Sequence, residues 1–122
     1  MEENKKISVL IVEDDENIRE FLREVLDDYL ISMASDGDEA IGKIRDNKFD
    51  LVITDLRMPN IPGEEVVKYV HDHKPATKVI VISGYSSRFA VNRSVSNGAS
   101  AFLSKPFSIK ELIQTVSKVL GS

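Results

Sequence analysis

A doubly wound α/β domain, with parallel strands and helices on both faces, is the fold class that this sequence predicts. Three observations carry it. Apolar runs alternate with amphipathic segments five times along the 122 residues, and strict strand-helix alternation implies parallel strands joined by right-handed crossovers. The runs are short and bounded by turn signals, as in strands buried on both faces. Two of them end in carboxylates, Glu13-Asp14-Asp15 after the first and Asp55 after the third. Open α/β sheets place their ligand sites there, outside the carboxyl ends of the strands.

Taken in order, Ile7 to Val12 is the first strand and Glu16 to about Asp27 the first helix. In that helix Ile18, Phe21, Leu22, Val25 and Leu26 keep the i, i+3, i+4, i+7, i+8 spacing of one apolar face. Tyr29 to Ala34 is a weaker second strand, suited to an edge. Asp36-Gly37-Asp38-Glu39 opens the second helix, which turns Ala40, Ile41 and Ile44 inward. Phe49 to Thr54 is the third strand. It leads through Asp55 into Met58-Pro59-Asn60-Ile61-Pro62-Gly63, which continues neither a strand nor a helix. Gly63 to about His71 is the third helix, with Val66, Val67 and Val70 on its buried side. Lys78 to Ser83 is the fourth strand. The fourth helix, about Ser87 to Asn97, has only Phe89, Val91 and Val95 as sizeable apolar residues, and Asn97-Gly98 supplies its stop. Ser100 to Leu103 is a short fifth strand. Ser108-Ile109-Lys110-Glu111 has capping-box spacing and precedes an apolar face of Ile109, Leu112, Ile113, Val116, Val119 and Leu120.

Length and composition bound the function. Residues 1–122 suggest one domain, and 42% hydrophobic content suffices for an ordinary core. A net charge of -4 argues against a nucleic-acid surface. With no cysteine, disulfide and thiol chemistry are excluded. No segment approaches the roughly 18 consecutive apolar residues of a membrane span, and the amino terminus lacks a signal peptide's apolar stretch. A cytoplasmic chain that binds neither membrane nor nucleic acid directly is expected.

The chemistry gathers at the strand ends. If the first and third strands are neighbours, Glu13, Asp14 and Asp55 converge, and three close carboxylates must gain protons, stay wet or bind a cation. All-oxygen ligands without His or Cys point to a hard ion, and so few carboxylates suit magnesium, which keeps several waters. An aspartate at a strand end also commonly caps the following turn, and Asp15 or Asn17 serves as a cap for the first helix. Capping does not explain an acidic end on two buried strands. The fourth strand ends in Ser83-Gly84, a hydroxyl beside an unobstructed backbone, and the fifth in Lys105-Pro106, a cation placed as counter-charge for a phosphoryl group.

The chain resembles the receiver domain of two-component response regulators along its whole length. The resemblance rests on Val9 to Asp15, Asp50 to Pro59, Val81-Ile82-Ser83-Gly84 and Gly98 to Phe107, in that order and spacing. It implies a flavodoxin-like, five-stranded sheet of order 2-1-3-4-5 with five helices on two faces. It implies that Asp55 is the phosphoacceptor, taking a phosphoryl group from the phosphohistidine of a sensor histidine kinase or histidine phosphotransferase. Asp14 would bind Mg2+ directly and Glu13 through water, with Asp55 and the carbonyl of Arg57 completing the protein ligands. Ser83 would contact the phosphoryl group, with Lys105 as its ion-pair partner, and Phe102 would be the switch aromatic. The surface of helix four, strand five and helix five would then change shape for a downstream protein target. Such a chain is not an enzyme in the usual sense, because it catalyses only its own phosphorylation and dephosphorylation. The resemblance also implies a cis Lys105-Pro106 bond, and partner docking over Ile18, Phe21, Pro106 and Phe107, whose apolar area is otherwise core.

Several positions depart from the commonest pattern. Glu13 replaces a frequent aspartate, Ser83 lacks threonine's methyl, and Phe102 lacks tyrosine's hydroxyl, which favours its inward rotamer. Arg57 and Tyr85 flank the site at positions that affect phosphoaspartate lifetime. His71 and His73 read as solvated surface, and Met33 and Met58 as packing residues. The chain is expected to be a stand-alone receiver; the alternative is a receiver cut from a longer regulator with a DNA-binding or enzymatic output. An aspartyl-phosphate phosphatase usually needs a second acid two residues beyond its nucleophile, and Arg57 stands there. A nucleotide-binding module would need a glycine-rich loop after the first strand, where acids stand instead.

Overall fold

The computed structural model describes residues 6–58, 60–84 and 88–121. Strands and helices alternate as β1 (Ser8–Val12), α1 (Glu16–Val25), β2 (Leu30–Ala34), α2 (Gly37–Asp46), β3 (Leu51–Asp55), α3 (Gly63–His73), β4 (Lys78–Ser83), α4 (Arg88–Ser96), β5 (Ala101–Ser104) and α5 (Ile109–Val119). All neighbours in the sheet are parallel, in the order β2-β1-β3-β4-β5. The weak second strand is indeed an edge.

Strand side chains alternate between two cores. Leu10, Val12, Val52, Val79 and Val81 face α2 and α3 through Ala40, Ile44, Val66, Val67 and Val70. Val9, Ile11, Leu51, Ile53, Ile80, Ile82 and Leu103 face α1 and α5 through Leu22, Leu26, Leu112 and Val116. Burial on both faces is why β1, β3 and β4 read as continuous apolar runs. Each such side chain contributes roughly 1.5–3 kcal/mol. Met33 and Met58 pack against these cores, as expected. The alternation also sorts the polar ends. Glu13, Asp55 and Lys105 continue the α1/α5 parity of Val9-Ile11, Leu51-Ile53 and Ala101-Leu103, whereas Ser83 follows Val79-Val81.

Boundaries shift where local hydrogen bonds compete. The first helix stops at Val25, with Leu26 as its C-cap, short of Asp27. The third strand starts at Leu51 rather than Phe49, because Asp50 is a bracket between strands. Its N–H donates to the Ser8 carbonyl at 2.8 Å, and its Oδ2 accepts from the Ser8 N–H at 2.8 Å. The strand then includes Asp55 itself. The third helix continues past His71 to His73, and the fifth strand is displaced by one residue, to Ala101–Ser104.

Caps follow the sequence signals. Asp15 caps α1 by accepting from the N–H groups of Asn17 and Ile18, and both bonds of the Ser108-Glu111 capping box are present. Helix α4 has an unusual orientation. Two of its three sizeable apolar residues point outward, Phe89 66% and Val95 56% exposed, Val91 is half-buried, and Ala90 and Ser94 are the buried ones. Ser94 Oγ hides its polarity by donating to the Ala90 carbonyl at 2.9 Å. Arg93, 5.8 Å over the Phe89 ring, also pairs with Glu64 of α3 at 2.8 Å. Two small buried residues give α4 little apolar area to hold it.

Gly98 ends α4 with φ +111°, and a side chain there would press into His71. Gly63 is constrained by space instead: an added Cβ would lie 1.9 Å from the Asp55 carbonyl oxygen. The start of α3 therefore abuts the end of β3. The Lys105-Pro106 bond is cis, as expected.

Candidate functional site

The strand order puts β1 beside β3, with their sequence neighbours β2 and β4 on opposite sides. That junction is the topological switch point of a doubly wound sheet. Glu13 and Asp55 stand at its carboxyl edge.

Asp55 is 6% exposed and divides its oxygens between two tasks. Oδ1 accepts from the Arg57 N–H at 3.1 Å, the ordinary turn cap. Oδ2 accepts from Lys105 Nζ at 2.6 Å. Behind it, Thr54 Oγ1 donates to the Asp55 carbonyl at 2.9 Å, and the Gly63 N–H closes the turn onto the Leu56 carbonyl at 3.0 Å.

Glu13 is 1% exposed, and every polar group it has is engaged. Oε1 accepts from Lys105 Nζ at 3.1 Å and Oε2 from the Asp15 N–H at 3.1 Å. Its own N–H donates to the Ala34 carbonyl at 3.0 Å, and its carbonyl accepts from Arg19 Nη1 at 2.7 Å. Burial pushes the Glu13 carboxyl up to about 7; the Asp15 N–H works against that rise, the Asp55 charge adds to it and Lys105 opposes it. For Lys105, burial disfavours the ammonium, but the hydrogen bond and charge of Asp55, followed by those of Glu13, outweigh it and raise its pKa. One lysine thus offsets two buried acids, and the second acid remains only partly compensated.

Asp14 is exposed beside them, and carboxylate oxygens of Glu13, Asp14 and Asp55 lie within 4.8 Å of one another. Three carboxylates with no nitrogen or sulfur donor are the set that a hard cation takes. Asp55, Arg57, Ser83, Gly84 and Lys105 line one open hollow of about 340 Å³. Ser83, 1% exposed, ends β4, and its carbonyl accepts from the Lys105 N–H at 2.9 Å. A larger hollow of about 420 Å³ beside β5 is lined by Lys78, Ser100, Ala101, Phe102, Thr115, Lys118 and Val119. It holds no carboxylate, so chemistry rather than size picks the site.

The other candidates fall on two neighbouring surfaces. Phe102, half-buried on β5, pairs in register with Val81 and packs against the α2/α3 core. Ile18, Phe21, Pro106 and Phe107 line, with Lys105, an apolar groove of about 360 Å³. Ile18 and Phe107 also pack against the α1/α5 core, whereas Phe21, its ring 6.4 Å from that of Phe107, is 37% exposed. Both histidines are exposed, His73 stacked on Tyr69 at 4.2 Å. Tyr85, expected to flank the site, lies outside the described residues, as do Pro59, Ser86 and Ser87. Sequence reading missed Arg19 and Thr54. A basic residue early in a helix and a threonine in a strand carry no signal by type or spacing, since each acts through a backbone carbonyl.

Fold and edge chemistry together define a doubly wound α/β domain with an acidic, lysine-bridged site at its switch point. Residues 9–117 match the response regulator receiver domain family. The chain belongs to that family, the receiver domains of two-component response regulators. It is 34% identical over 115 residues to the response regulator ArlR of Staphylococcus haemolyticus (strain JCSC1435), covering 93% of this chain and 52% of that one. The chain thus spans about half the length of that relative. It is also similar to the crystal structure of a CheY-like response regulator receiver domain protein from Methanospirillum hungatei JF-1. There the TM-score is 0.91 at 28% identity, over 95% of this chain and 94% of the other. A Burkholderia pseudomallei response regulator, solved with a phosphorylated aspartic acid, calcium ion and citrate, gives TM-score 0.82 at 26% identity. That match covers 88% of this chain and 64% of the other.

Proposed function

We propose that residues 1–122 form a cytoplasmic phosphoacceptor switch in which Asp55 takes a phosphoryl group from the phosphohistidine of a sensor histidine kinase or histidine phosphotransferase. The observation that carries the proposal is the buried Asp55 carboxylate, 2.6 Å from Lys105 and next to the Glu13-Asp14 pair. The phosphorylated aspartic acid of the Burkholderia relative supports it.

In the reaction an Asp55 oxygen forms a bond to phosphorus as the phosphorus–nitrogen bond breaks, and the leaving imidazole takes up a proton. The incoming group is anionic and the site is already acidic, so charge is the obstacle. Lys105 offsets it on one side, and Ser83 supplies a hydroxyl toward the phosphoryl oxygens. Glu13, Asp14, Asp55 and the Arg57 carbonyl would hold Mg2+, which supplies further charge stabilisation on the transferring oxygens. Asp14, exposed, would be the direct ligand, and Glu13, held by Lys105 and Asp15, would act through water. Arg57, in place of a second acid, separates this chemistry from phosphatase turnover. The chain catalyses its own modification, and a protein target reads it, whether the receiver acts alone or within a longer regulator.

Incubation with Mg2+ and a small phosphodonor should add one phosphoryl mass, located at Asp55; a mass gain located elsewhere would refute the proposal. Asp14→Ala is expected to weaken magnesium binding at least tenfold, because it removes one ligand outright, at the lower bound of the roughly 10–100-fold cost of altering metal support. Unchanged affinity by calorimetry would show the ligand set to be wrong.

Reading of the phosphoryl group is proposed to run through Ser83. Drawn toward the new acceptor oxygens, Ser83 would move the end of β4 and vacate space for Phe102 beside α4. Ser83→Ala should accept phosphate, more slowly, yet show smaller amide shifts around Phe102 and α4. Shifts of equal size in both proteins would exclude that route.

A further inference from the structure

The carboxylate assigned to contact a cation most directly is also the least supported. Glu13 and Asp55 are buried and hydrogen-bonded, but among the described residues no hydrogen bond or ion pair fixes the exposed Asp14 side chain. Its placement therefore comes from the backbone beneath it. The 13–14 peptide is a rigid plane running from the Glu13 Cα to the Asp14 Cα. The 12–13 peptide before it is tied to the sheet, its Glu13 N–H donating to the Ala34 carbonyl at 3.0 Å. The Glu13 carbonyl is tied to Arg19 Nη1 at 2.7 Å. The Arg19 backbone is itself fixed, because its N–H donates to the Asp15 carbonyl at 2.9 Å in the capped first turn of α1.

We infer that Arg19 is a positioning residue for the cation site, orienting the peptide that presents Asp14. The inference rests on the proposed cation site and deepens it. Arg19 has two effects of opposite sign. Its charge repels a cation, so removing it would tighten binding. Its hydrogen bond holds a ligand's backbone, so removing it would weaken binding. Outer-shell partners of metal ligands are worth about 10–100-fold in affinity, whereas the charge of the half-buried Arg19 is only partly screened. Positioning should win, with a net effect at or below the low end of that range, because the charge offsets part of it and Asp14 is solvent-exposed.

The test is a magnesium titration, followed by calorimetry, of the wild type, Arg19→Met and Arg19→Lys, with urea unfolding of each in chelator. Methionine keeps most of the apolar stem and removes the donor; lysine keeps charge and a donor. Arg19→Met should weaken magnesium binding roughly threefold to tenfold, and Arg19→Lys should recover most of that loss. Lower stability with unchanged affinity would make Arg19 merely structural and overturn the inference, as would tighter binding in Arg19→Met, which would leave only its charge. A wild type that binds no magnesium would sink the cation site itself, and the inference with it; wild-type binding with no loss in Arg19→Met sinks the inference alone.

Discussion

Asp55→Asn is expected to abolish acyl phosphate formation while leaving the fold intact. The amide is nearly isosteric, so the hollow keeps its shape, and its carbonyl oxygen can still accept from the Arg57 N–H, which now meets Asp55 Oδ1 at 3.1 Å. What disappears is the anionic nucleophile, for which an amide is no substitute. Two charge effects on stability nearly cancel. Lys105 loses its partner at 2.6 Å, but Glu13 loses the Asp55 charge that helps push its carboxyl up. Net stability should stay within about 1 kcal/mol of wild type. Phosphorylation with a small donor and magnesium, read by intact mass and then by site, checks the assignment. A variant modified at the wild-type level would move the nucleophile elsewhere. A variant that unfolds would show instead that the Asp55 charge holds the strand ends together, contrary to the argument above.

What was legible in the sequence followed from period and position. Runs such as Val9 to Val12 and Val79 to Ile82 are buried on both faces, and only a central strand needs such a run. Carboxylates after two of them are costly unless used, so Glu13 and Asp55 could be singled out by type. The order of the strands came from resemblance, because crossover rules leave several orders open. Other features were hidden for physical reasons. Helix α4 turns Phe89 and Val95 outward and buries Ala90 and Ser94, so its core face consists of residues that carry little apolar signal. Asp50 falls within the apolar run of the third strand but instead brackets two strands through Ser8. Arg19 acts on a carbonyl oxygen, which every residue owns, so no spacing of side chains reveals it.

Lys105→Met should produce the largest combined loss of stability and activity among single changes that spare Asp55. The lysine reaches Asp55 at 2.6 Å and Glu13 at 3.1 Å, with its side chain 22% exposed and the two acids 8% and 1%. Methionine fits the aliphatic stem but leaves both carboxylates without their cation. Removing one partner of a buried pair costs about 3–5 kcal/mol, and partial exposure of the lysine head brings the expected loss to about 2–3 kcal/mol. Magnesium should then stabilise the variant more than the wild type, since binding to the folded state alone adds RT ln(1 + [L]/Kd) and the competing ammonium is gone. Activity should not recover in step. Mg2+ restores charge over the acid pair, but Lys105 also faces the hollow shared by Asp55 and Ser83, where the phosphoryl oxygens would lie. Losing one preorganised electrostatic contact of that kind costs about 10²–10³-fold in rate. Urea unfolding with and without magnesium, beside initial phosphorylation rates at saturating magnesium, separates the two roles. Full recovery of both stability and rate with magnesium would make Lys105 a counter-ion only. Recovery of stability with a rate still depressed by two orders of magnitude would place the ammonium on the phosphoryl group in the transition state.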